Sequence, residues 1–237
     1  MSDIQSLNHK VAIITGASSG IGAATARHLS ARGMRLVITA RREERLAELA
    51  RTLGNTEYIG GDVTDPALAS ALIQRALTAF GRCDAVINNA GAFAVGAIET
   101  LDVNKVCEMA RVNVEGAYRM AFEAMRHFKQ MGSGDLINLS SIAGTKIIRA
   151  GIGWYGGTKH ALEALTESLR MEGATSGVRV SCIEPGMTQT ELFKEPITSI
   201  PKALDADDIA RAVGFILERP PHVAIPRLMV LPSCQAI

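Results

Sequence analysis

The 237-residue sequence lacks a long hydrophobic run and an excess of charge of one sign. No apolar run approaches the roughly 18 residues that suggest a membrane span. The formal net charge is +1, so there is no electrostatic reason to expect nucleic acid or an acidic membrane as a partner. The polar first ten residues are unlike a signal peptide. We therefore expect a globular protein with neither kind of partner.

The sequence also lacks closely spaced cysteines and metal-binding histidine patterns. The four cysteines form no CxxC pair: Cys83, Cys107, Cys182 and Cys234. This scatter argues against a disulfide framework or a zinc site and favours reduced thiols in the cytoplasm. The first three cysteines are expected to be small apolar fillers of the interior. The five histidines show no metal spacing, so no metal site is predicted, and His160 is expected to be structural.

Short apolar runs alternate with helical stretches along the chain. Strands are predicted at 11–15, 36–40, around Tyr58, and at 85–87, 136–139, 178–183 and 227–231. Helices are predicted at 21–32, 46–53, from Asp65-Pro66 onward, and at 104–130, 155–175 and 209–217. This alternation predicts an α/β, single-domain, doubly wound Rossmann fold over residues 1–237, with a seven-stranded parallel sheet. Ligands of such sheets bind beyond the carboxyl ends of the strands.

The first predicted strand is followed by residues 15–22, TGASSGIG. Glycines permit a tight turn, and unpaired amides at a helix start favour an anion such as a pyrophosphate. Glycine turns also occur without any ligand. The position between the first strand and the first helix favours dinucleotide binding.

The end of the second predicted strand bears on the choice of cofactor. NAD sites usually carry an acidic residue there, whereas this chain has Arg41 and Arg42, with no carboxylate before Glu43. A guanidinium suits the 2′-phosphate of NADP. Arg41 is predicted to contact that phosphate in preference to Arg42, since the strand end aims only one of them well. The alternative is that both are solvated and pair with Glu43 and Glu44.

Tyr155 and Lys159 form a Y-x-x-x-K motif at the head of a predicted helix, on one helical face. A phenol has an ordinary pKa of about 10, and a nearby cation would lower it toward the range of a useful acid or base. The motif also arises by chance, so its neighbours decide its meaning.

The neighbouring motifs occur in a consistent order along nearly the whole chain. They are TGASSGIG at 15–22, Asp62-Val63, NNAG at 88–91, Asn113, LSSIAG at 139–144, YGGTK at 155–159 and Pro185-Gly186. This set closely resembles the short-chain dehydrogenase/reductase family, and Arg41 suggests its NADP-preferring branch. The resemblance implies an enzyme that interconverts a carbonyl and an alcohol with NADP(H).

The resemblance also implies residue roles. Tyr155 would be the general acid or base, Lys159 would bind the nicotinamide ribose and lower the tyrosine pKa, and Ser141 would stabilise the substrate oxygen. Ser140 is interpreted as a turn residue that bonds the backbone. Asn113 would maintain a water-linked proton path.

The implied cofactor residues follow the strands. Asn88 is expected to stabilise a strand, and Thr190 is a further candidate beside the nicotinamide. The predicted cofactor set is Gly16, Ser18, Ser19, Gly20, Ile21, Gly22, Arg41, Asp62, Val63, Asn89, Ala90, Gly91, Tyr155, Lys159, Pro185, Gly186 and Thr188.

Three features bear on the substrate. A lid is expected near 190–204, with Phe193, Pro196, Ile197 and Pro201, and Trp154 either packs structurally or narrows the substrate mouth. The IEPG and RLMVLP strings are similar to the 3-hydroxy acid and serine dehydrogenase branch.

The substrate expected on this basis is a 3-hydroxy acid or a small ketone. The alternatives are a 3-oxoacyl thioester reductase and a catalytically idle NADP-binding sensor. The resemblance further implies a homotetramer or dimer, assembled through the helices at 104–130 and 155–175.

Overall fold

A computed structural model describes residues 5–193 and 197–236. Its strands are β1 Val11–Thr15, β2 Arg35–Ala40, β3 Thr56–Gly60, β4 Ala85–Asn88, β5 Gly134–Leu139, β6 Val178–Pro185, β7 Thr188–Gln189, β8 Leu204–Asp205 and β9 Arg227–Val230. Seven of them form one sheet in the order β3-β2-β1-β4-β5-β6-β9. Every pair in that sheet is parallel, which confirms the predicted fold. The short strands β7 and β8 pair separately.

Helices cover both faces of the sheet. They are α1 Gly20–Ser30, α2 Glu43–Leu53, α3 Leu68–Phe80, α4 Val103–Ala110, α5 Ala117–Met131, α6 Gly153–Gly173 and α7 Ala206–Leu217. The buried residues of α1, α2 and α7 join one core, and those of α3, α5 and α6 join the other.

The two cores share the central strand. Ile14 of β1 belongs to the first core and Ile13 to the second, and both are completely buried. Successive side chains of a strand point to opposite faces, so a run of β-branched residues serves both cores. Each such burial contributes about 1.5–3 kcal/mol. Strand β1 lies between β2 and β4, where the chain order reverses, and ligand crevices form at such a point.

The helix predicted at 104–130 is confirmed over residues 103–131, with a π-helical turn in its middle. Helix α4 ends at Ala110, a π-helical turn spans Arg111–Gly116, and α5 follows. A Cβ at Gly116 would lie 2.6 Å from Val63 Cγ2, so this part of the chain packs too closely for a larger residue. π turns insert an extra residue and are frequent at functional sites. Periodicity alone could not reveal this insertion.

Two sequence expectations were wrong. Helix α3 begins at Leu68 rather than at Asp65-Pro66, because Asp65 Oδ1 accepts from Ala67 N at 2.8 Å in a turn that precedes the helix. Cys107 lies on the exposed side of α4, whereas Cys83 and Cys182 are buried as expected. Among the described residues, no helix is long and apolar enough to cross a membrane.

Candidate active site

A cleft of about 460 Å³ opens at the carboxyl ends of the central strands. Most of the predicted cofactor residues line it, with Thr190 and Arg42: Gly16, Ser18, Ser19, Gly20, Ile21, Arg41, Asp62, Val63, Asn89, Ala90, Gly91, Tyr155, Lys159 and Pro185. Gly22, Gly186 and Thr188 lie outside this lining and support it from behind.

The turn after β1 packs tightly against the loop after β4. Thr15 Oγ1 accepts from the backbone amides of Asn89 and Ala90 at 3.0 and 2.9 Å, and Asn89 Nδ2 donates to Thr15 O at 2.8 Å. Gly16 has φ +69°, and a Cβ there would lie 2.8 Å from Ala90 Cα. A Cβ at Gly22 would overlap Gly16 O. Asn89 therefore shapes the turn after β1, and the glycines permit the close approach.

The positive end of α1 points into this turn. Ser19 occupies the N-cap position, and its Oγ accepts from Arg42 Nη2 at 2.6 Å rather than capping the helix. The first amides of α1 and the helix dipole together favour an anion at this place.

Both arginines after β2 line the cleft, and the preference for Arg41 over Arg42 as a phosphate contact stays a prediction. Arg42 donates to Ser18 Oγ from Nε and Nη2 at 3.1 and 3.0 Å. Arg41 Nη1 lies 3.9 Å from Glu108 Oε1, with both side chains about two-thirds exposed, so this ion pair is weak. The ion pairs recorded for Arg41 and Arg42 involve Glu108 and Glu191 rather than Glu43 and Glu44.

Asp62 forms a polar corner after β3. Its Oδ1 accepts from Thr64 N at 2.9 Å and from Thr64 Oγ1 at 2.8 Å. The bond from the backbone amide, aided by the hydroxyl and by Arg41, holds the pKa of Asp62 below its ordinary value. Asp62 is therefore a fixed carboxylate on the cleft wall.

Tyr155 and Lys159 lie on the first turns of α6 and are both buried. Burial raises the pKa of Tyr155 to about 12, while a hydrogen bond with Ser141 opposes the rise. Burial lowers the pKa of Lys159 to about 8. Lys159 Nζ donates to Leu139 O at 2.8 Å and lies 5.7 Å from the centroid of the Tyr155 ring. The phenol thus holds its proton near neutrality, and burial is the largest influence on its pKa.

The two adjacent serines have different surroundings. Ser141 lies close enough to Tyr155 to oppose the rise of its pKa, and its Oγ accepts from Ala143 N at 3.2 Å. Ser140 is buried, and its Oγ has no hydrogen-bond partner among the described residues. Only its backbone amide bonds the main chain, to Ile183 O at 2.8 Å, so the expected role of its hydroxyl in a turn was wrong.

Asn113 lies within the π turn and clamps the loop after β4. Its Oδ1 accepts from Ala92 N at 2.7 Å, and its Nδ2 donates to Ala92 O at 2.9 Å and to Thr158 Oγ1 at 3.1 Å. Thr158 Oγ1 donates in turn to Tyr155 O at 2.7 Å. The side chain of Asn113 thus holds this loop against α6. Because both of its polar atoms are already hydrogen-bonded, a proton path at Asn113 would have to run through the main chain.

The segment after β6 is held by the C-terminal tail. Gly186 N donates to Val230 O at 2.8 Å, and Gln235 Oε1 accepts from Met187 N at 2.9 Å. Thr188 is buried and donates from Oγ1 to Gly186 O at 3.1 Å. These bonds fix the wall that Pro185 presents to the cleft.

Asn88 is buried behind the cleft. Its Nδ2 donates to Ala117 O at 2.9 Å and to Asn138 Oδ1 at 3.0 Å, which confirms that it stabilises a strand.

An aromatic wall beside Tyr155 was missed from the sequence. The Phe93 ring lies edge-on to Tyr155, with centroids 4.9 Å apart, and 5.2 Å from the ring of Phe193 on the expected lid. The position of Phe93, two residues after NNAG, was the available signal. Pro196 of the expected lid lies outside the described residues, and Trp154 is exposed at the start of α6.

A buried polar cluster near Lys159 was also missed. Cys182 Sγ donates to Glu163 Oε1 at 3.2 Å, so Cys182 is not merely an apolar filler. Arg227 Nη2 donates to Glu163 Oε2 at 3.0 Å, and Arg227 Nε lies 2.5 Å from Glu184 Oε1. Burial, followed by the neighbouring Glu163, raises the pKa of Glu184 to about 7. The potential metal ligands Glu163, Cys182 and Glu184 lie together, but the Arg227 cation already pairs with the two carboxylates.

Known proteins share this fold and these motifs. Residues 10–199 match the short chain dehydrogenase family. An uncharacterized oxidoreductase of Staphylococcus epidermidis is 34% identical over 227 residues, covering 95% of this chain and 98% of that protein.

Solved structures show the same similarity. An alcohol dehydrogenase of the archaeon Thermococcus sibiricus, complexed with 5-hydroxy-NADP, has a TM-score of 0.87 and 32% identity over 96% of this chain and 98% of that one. A 3-ketoacyl-(acyl-carrier-protein) reductase of Brucella melitensis, complexed with NADH, has a TM-score of 0.87 and 30% identity, with 95% and 98% coverage. Serine dehydrogenase of Escherichia coli has a TM-score of 0.85 and 28% identity, with 96% and 100% coverage. The chain therefore belongs to the short-chain dehydrogenase family of oxidoreductases.

Proposed function

We propose that this oxidoreductase uses NADP(H) to interconvert a carbonyl and an alcohol, with Tyr155, Ser141, Lys159 and Asn113 as its functional residues. The observation that carries the proposal is the placement of Tyr155, buried in the wall of the cleft, with Ser141 near its hydroxyl and Lys159 one turn further along α6. Two hydroxyls placed together suit a carbonyl oxygen that gains negative charge during reduction.

Each of the four side chains has its own role in the proposed reaction. In the reductive direction, Tyr155 Oη donates its proton to the substrate oxygen, and Ser141 stabilises that oxygen by a hydrogen bond. Lys159, on the next turn of α6, would hold the nicotinamide ribose through its amine, which donates to Leu139 O in this structure. Asn113 keeps the loop after β4 against α6. In the oxidative direction, the deprotonated Tyr155 accepts the proton from the alcohol.

The cleft suits an NADP dinucleotide, which supplies or accepts the hydride when bound. The turn between β1 and α1 would hold the pyrophosphate, because its amides and the dipole of α1 favour an anion. Asp62 and Val63 would line the adenine pocket. Arg41 and Arg42 would bind the 2′-phosphate, a contact for which a guanidinium is well shaped. The similar alcohol dehydrogenase that carries 5-hydroxy-NADP supports this choice.

The proposed substrate is a small ketone or a 3-hydroxy acid. The apolar edge formed by Phe93 and Phe193 beside Tyr155 favours a small apolar group next to the reacting carbon. Similarity to serine dehydrogenase supports a 3-hydroxy acid. Similarity to a 3-ketoacyl-(acyl-carrier-protein) reductase keeps a 3-oxoacyl thioester as the second candidate.

A substrate panel tests the proposal. NADPH oxidation is measured with ketones, aldehydes and 3-oxoacyl thioesters, and NADP⁺ reduction with 3-hydroxy acids. Turnover of at least one class is expected. If NADPH bound but no compound turned over, an idle NADP-binding sensor would be the better account.

The cofactor proposal is tested by comparing kcat/KM for NADPH and NADH. The wild type should prefer NADPH, and Arg41→Ala and Arg42→Ala should reduce that preference by roughly tenfold, as expected when a charge-assisted contact is lost. Equal use of both cofactors, unaltered by either substitution, would contradict the assignment.

Two further elements of the proposal concern assembly and location. We expect a homotetramer or dimer, since α4, α5 and α6 expose Val103, Phe122 and Met171. Light scattering would measure the assembly. The four free cysteines favour a reducing, cytoplasmic setting.

A further inference from the structure

A carboxylate from the expected lid occupies the arginine end of the cleft. Glu191 follows β7 and lines the cleft with Arg42. Its Oε2 accepts from Arg42 Nη1 at 2.7 Å, and both of its oxygens accept from Arg45 Nη1 at 2.8 Å. These bonds hold the pKa of Glu191 below its ordinary value, so it is ionised at neutral pH.

Arg42 divides its donors between two parts of the chain. Nη1 donates to Glu191, while Nε and Nη2 donate to Ser18 Oγ and Ser19 Oγ in the turn before α1. One guanidinium therefore connects the turn before α1 with the start of the expected lid. Any anion that binds between Ser18 and Arg42 meets the Glu191 carboxylate as a competitor.

We propose that Glu191 is an internal competitor for this anion site, and that a phosphate monoester on the adenosine ribose displaces it from Arg42 and Arg45. The proposal rests on the NADP function proposed above and deepens it. Glu191 would be a specificity-determining residue, because NAD and NADP share the pyrophosphate and only NADP adds an anion on the adenosine ribose that can replace the carboxylate.

The charges explain why the exchange would favour such a phosphate. A phosphate monoester carries about −1.5 to −2 charges and three acceptor oxygens, against one charge and two oxygens for a carboxylate. The hydroxyls of NAD cannot replace a carboxylate on a guanidinium. The side chains of Arg42, Arg45 and Glu191 are each about half exposed, so water reaches them. The competition from Glu191 therefore lowers the affinity for the phosphate by only a modest factor. Displacement would also release the start of the lid.

The test is calorimetric titration of Glu191→Gln and wild type with adenosine 2′,5′-bisphosphate and with 5′-AMP. The variant should bind the bisphosphate roughly three- to fivefold more tightly, the factor expected for an exposed ion pair, and should bind 5′-AMP within about 1.5-fold of wild type. Glu99→Gln is the control, because Glu99 is an exposed carboxylate outside the lining of the cleft. It should leave the ratio of the two affinities unchanged.

Hydrogen exchange supplies the second measurement. Exchange of the amides of residues 190–193 should rise when wild type is saturated with the bisphosphate and should already be raised in free Glu191→Gln.

Three results would overturn the role of Glu191. They are an unchanged affinity for the bisphosphate, equal tightening of both ligands, and weaker binding of the bisphosphate by the variant. If wild type prefers the bisphosphate but Glu191→Gln has no effect, this inference alone fails. If wild type does not prefer the bisphosphate and Arg42→Ala changes neither affinity, the proposed NADP preference fails as well.

Discussion

Single residues determine which groups in the cleft carry protons. Burial raises the pKa of Tyr155 to about 12 and lowers that of Lys159 to about 8. Near neutral pH the tyrosine therefore carries its proton, and the pH lies close to the pKa of the lysine. The YxxxK spacing predicted that the two side chains share a helix face. It could not predict these pKa values, because they depend on burial by parts of the chain far away in sequence.

The adjacent serines allow a matched test at this scale. We expect Ser141→Ala to lower kcat/KM by at least about 10²-fold, because it removes a hydrogen bond to the developing charge. Ser140→Ala should leave kcat/KM nearly unchanged, since its buried hydroxyl has no partner among the described residues. Steady-state kinetics on both variants, with folding checked by circular dichroism, gives the answer. Equal losses in both would contradict the choice of Ser141.

At the scale of elements, motifs that lie within one turn were predictable from the sequence. TGASSGIG and YGGTK were correctly expected at the starts of α1 and α6. The π turn around Asn113 was not predictable, because its cause is packing between distant segments. The arrangement of Arg42 between Ser18 and Glu191 was missed for the same reason, since it joins segments 24 and 149 residues apart.

Two glycines test the packing of these elements. Gly22→Ala should weaken NADPH binding by more than tenfold and lower the melting temperature, because a Cβ there overlaps Gly16 O and the Asn89 amide. Gly157→Ala is the control, since its Cβ would meet open space within α6 and should stabilise the protein by about 0.5–1 kcal/mol. Thermal melting and NADPH titration measure both effects. A Gly22→Ala protein that behaved like wild type would show that this close approach is not required.

At the scale of the whole molecule, the strand and helix alternation was sufficient to predict the seven-stranded parallel sheet. The cluster of Glu163, Cys182, Glu184 and Arg227 was beyond the sequence, because its members come from α6, β6 and β9 and share no local motif. The cluster places two buried carboxyl groups beside a guanidinium whose side chain is 56% exposed. The stability of the entire fold should therefore depend on its protonation.

Glu184 gives this dependence a direction. The pKa of Glu184 is raised to about 7. Its contribution to stability is therefore fully present when the pH is below the ordinary pKa of a glutamate, and it is lost as the pH rises through 7. We expect the wild-type free energy of unfolding to fall by more than about 1 kcal/mol between pH 5 and pH 8 from this group. Glu184→Gln, which resembles the protonated acid, should flatten that change.

Urea unfolding at several pH values measures how the free energy of unfolding depends on pH, and Glu99→Gln serves as an exposed control. If the pH dependence of Glu184→Gln matched that of wild type, the cluster would not be the titrating element.

The central claim is that Tyr155 delivers the proton to the substrate oxygen. Its most direct test is a single-turnover measurement of NADPH oxidation with the best carbonyl substrate, comparing wild type and Tyr155→Phe at equal saturation with NADPH. We expect the rate to fall by about 10²- to 10⁴-fold while the Kd for NADPH stays within about twofold. A Tyr155→Phe enzyme that turned over at the wild-type rate would contradict it.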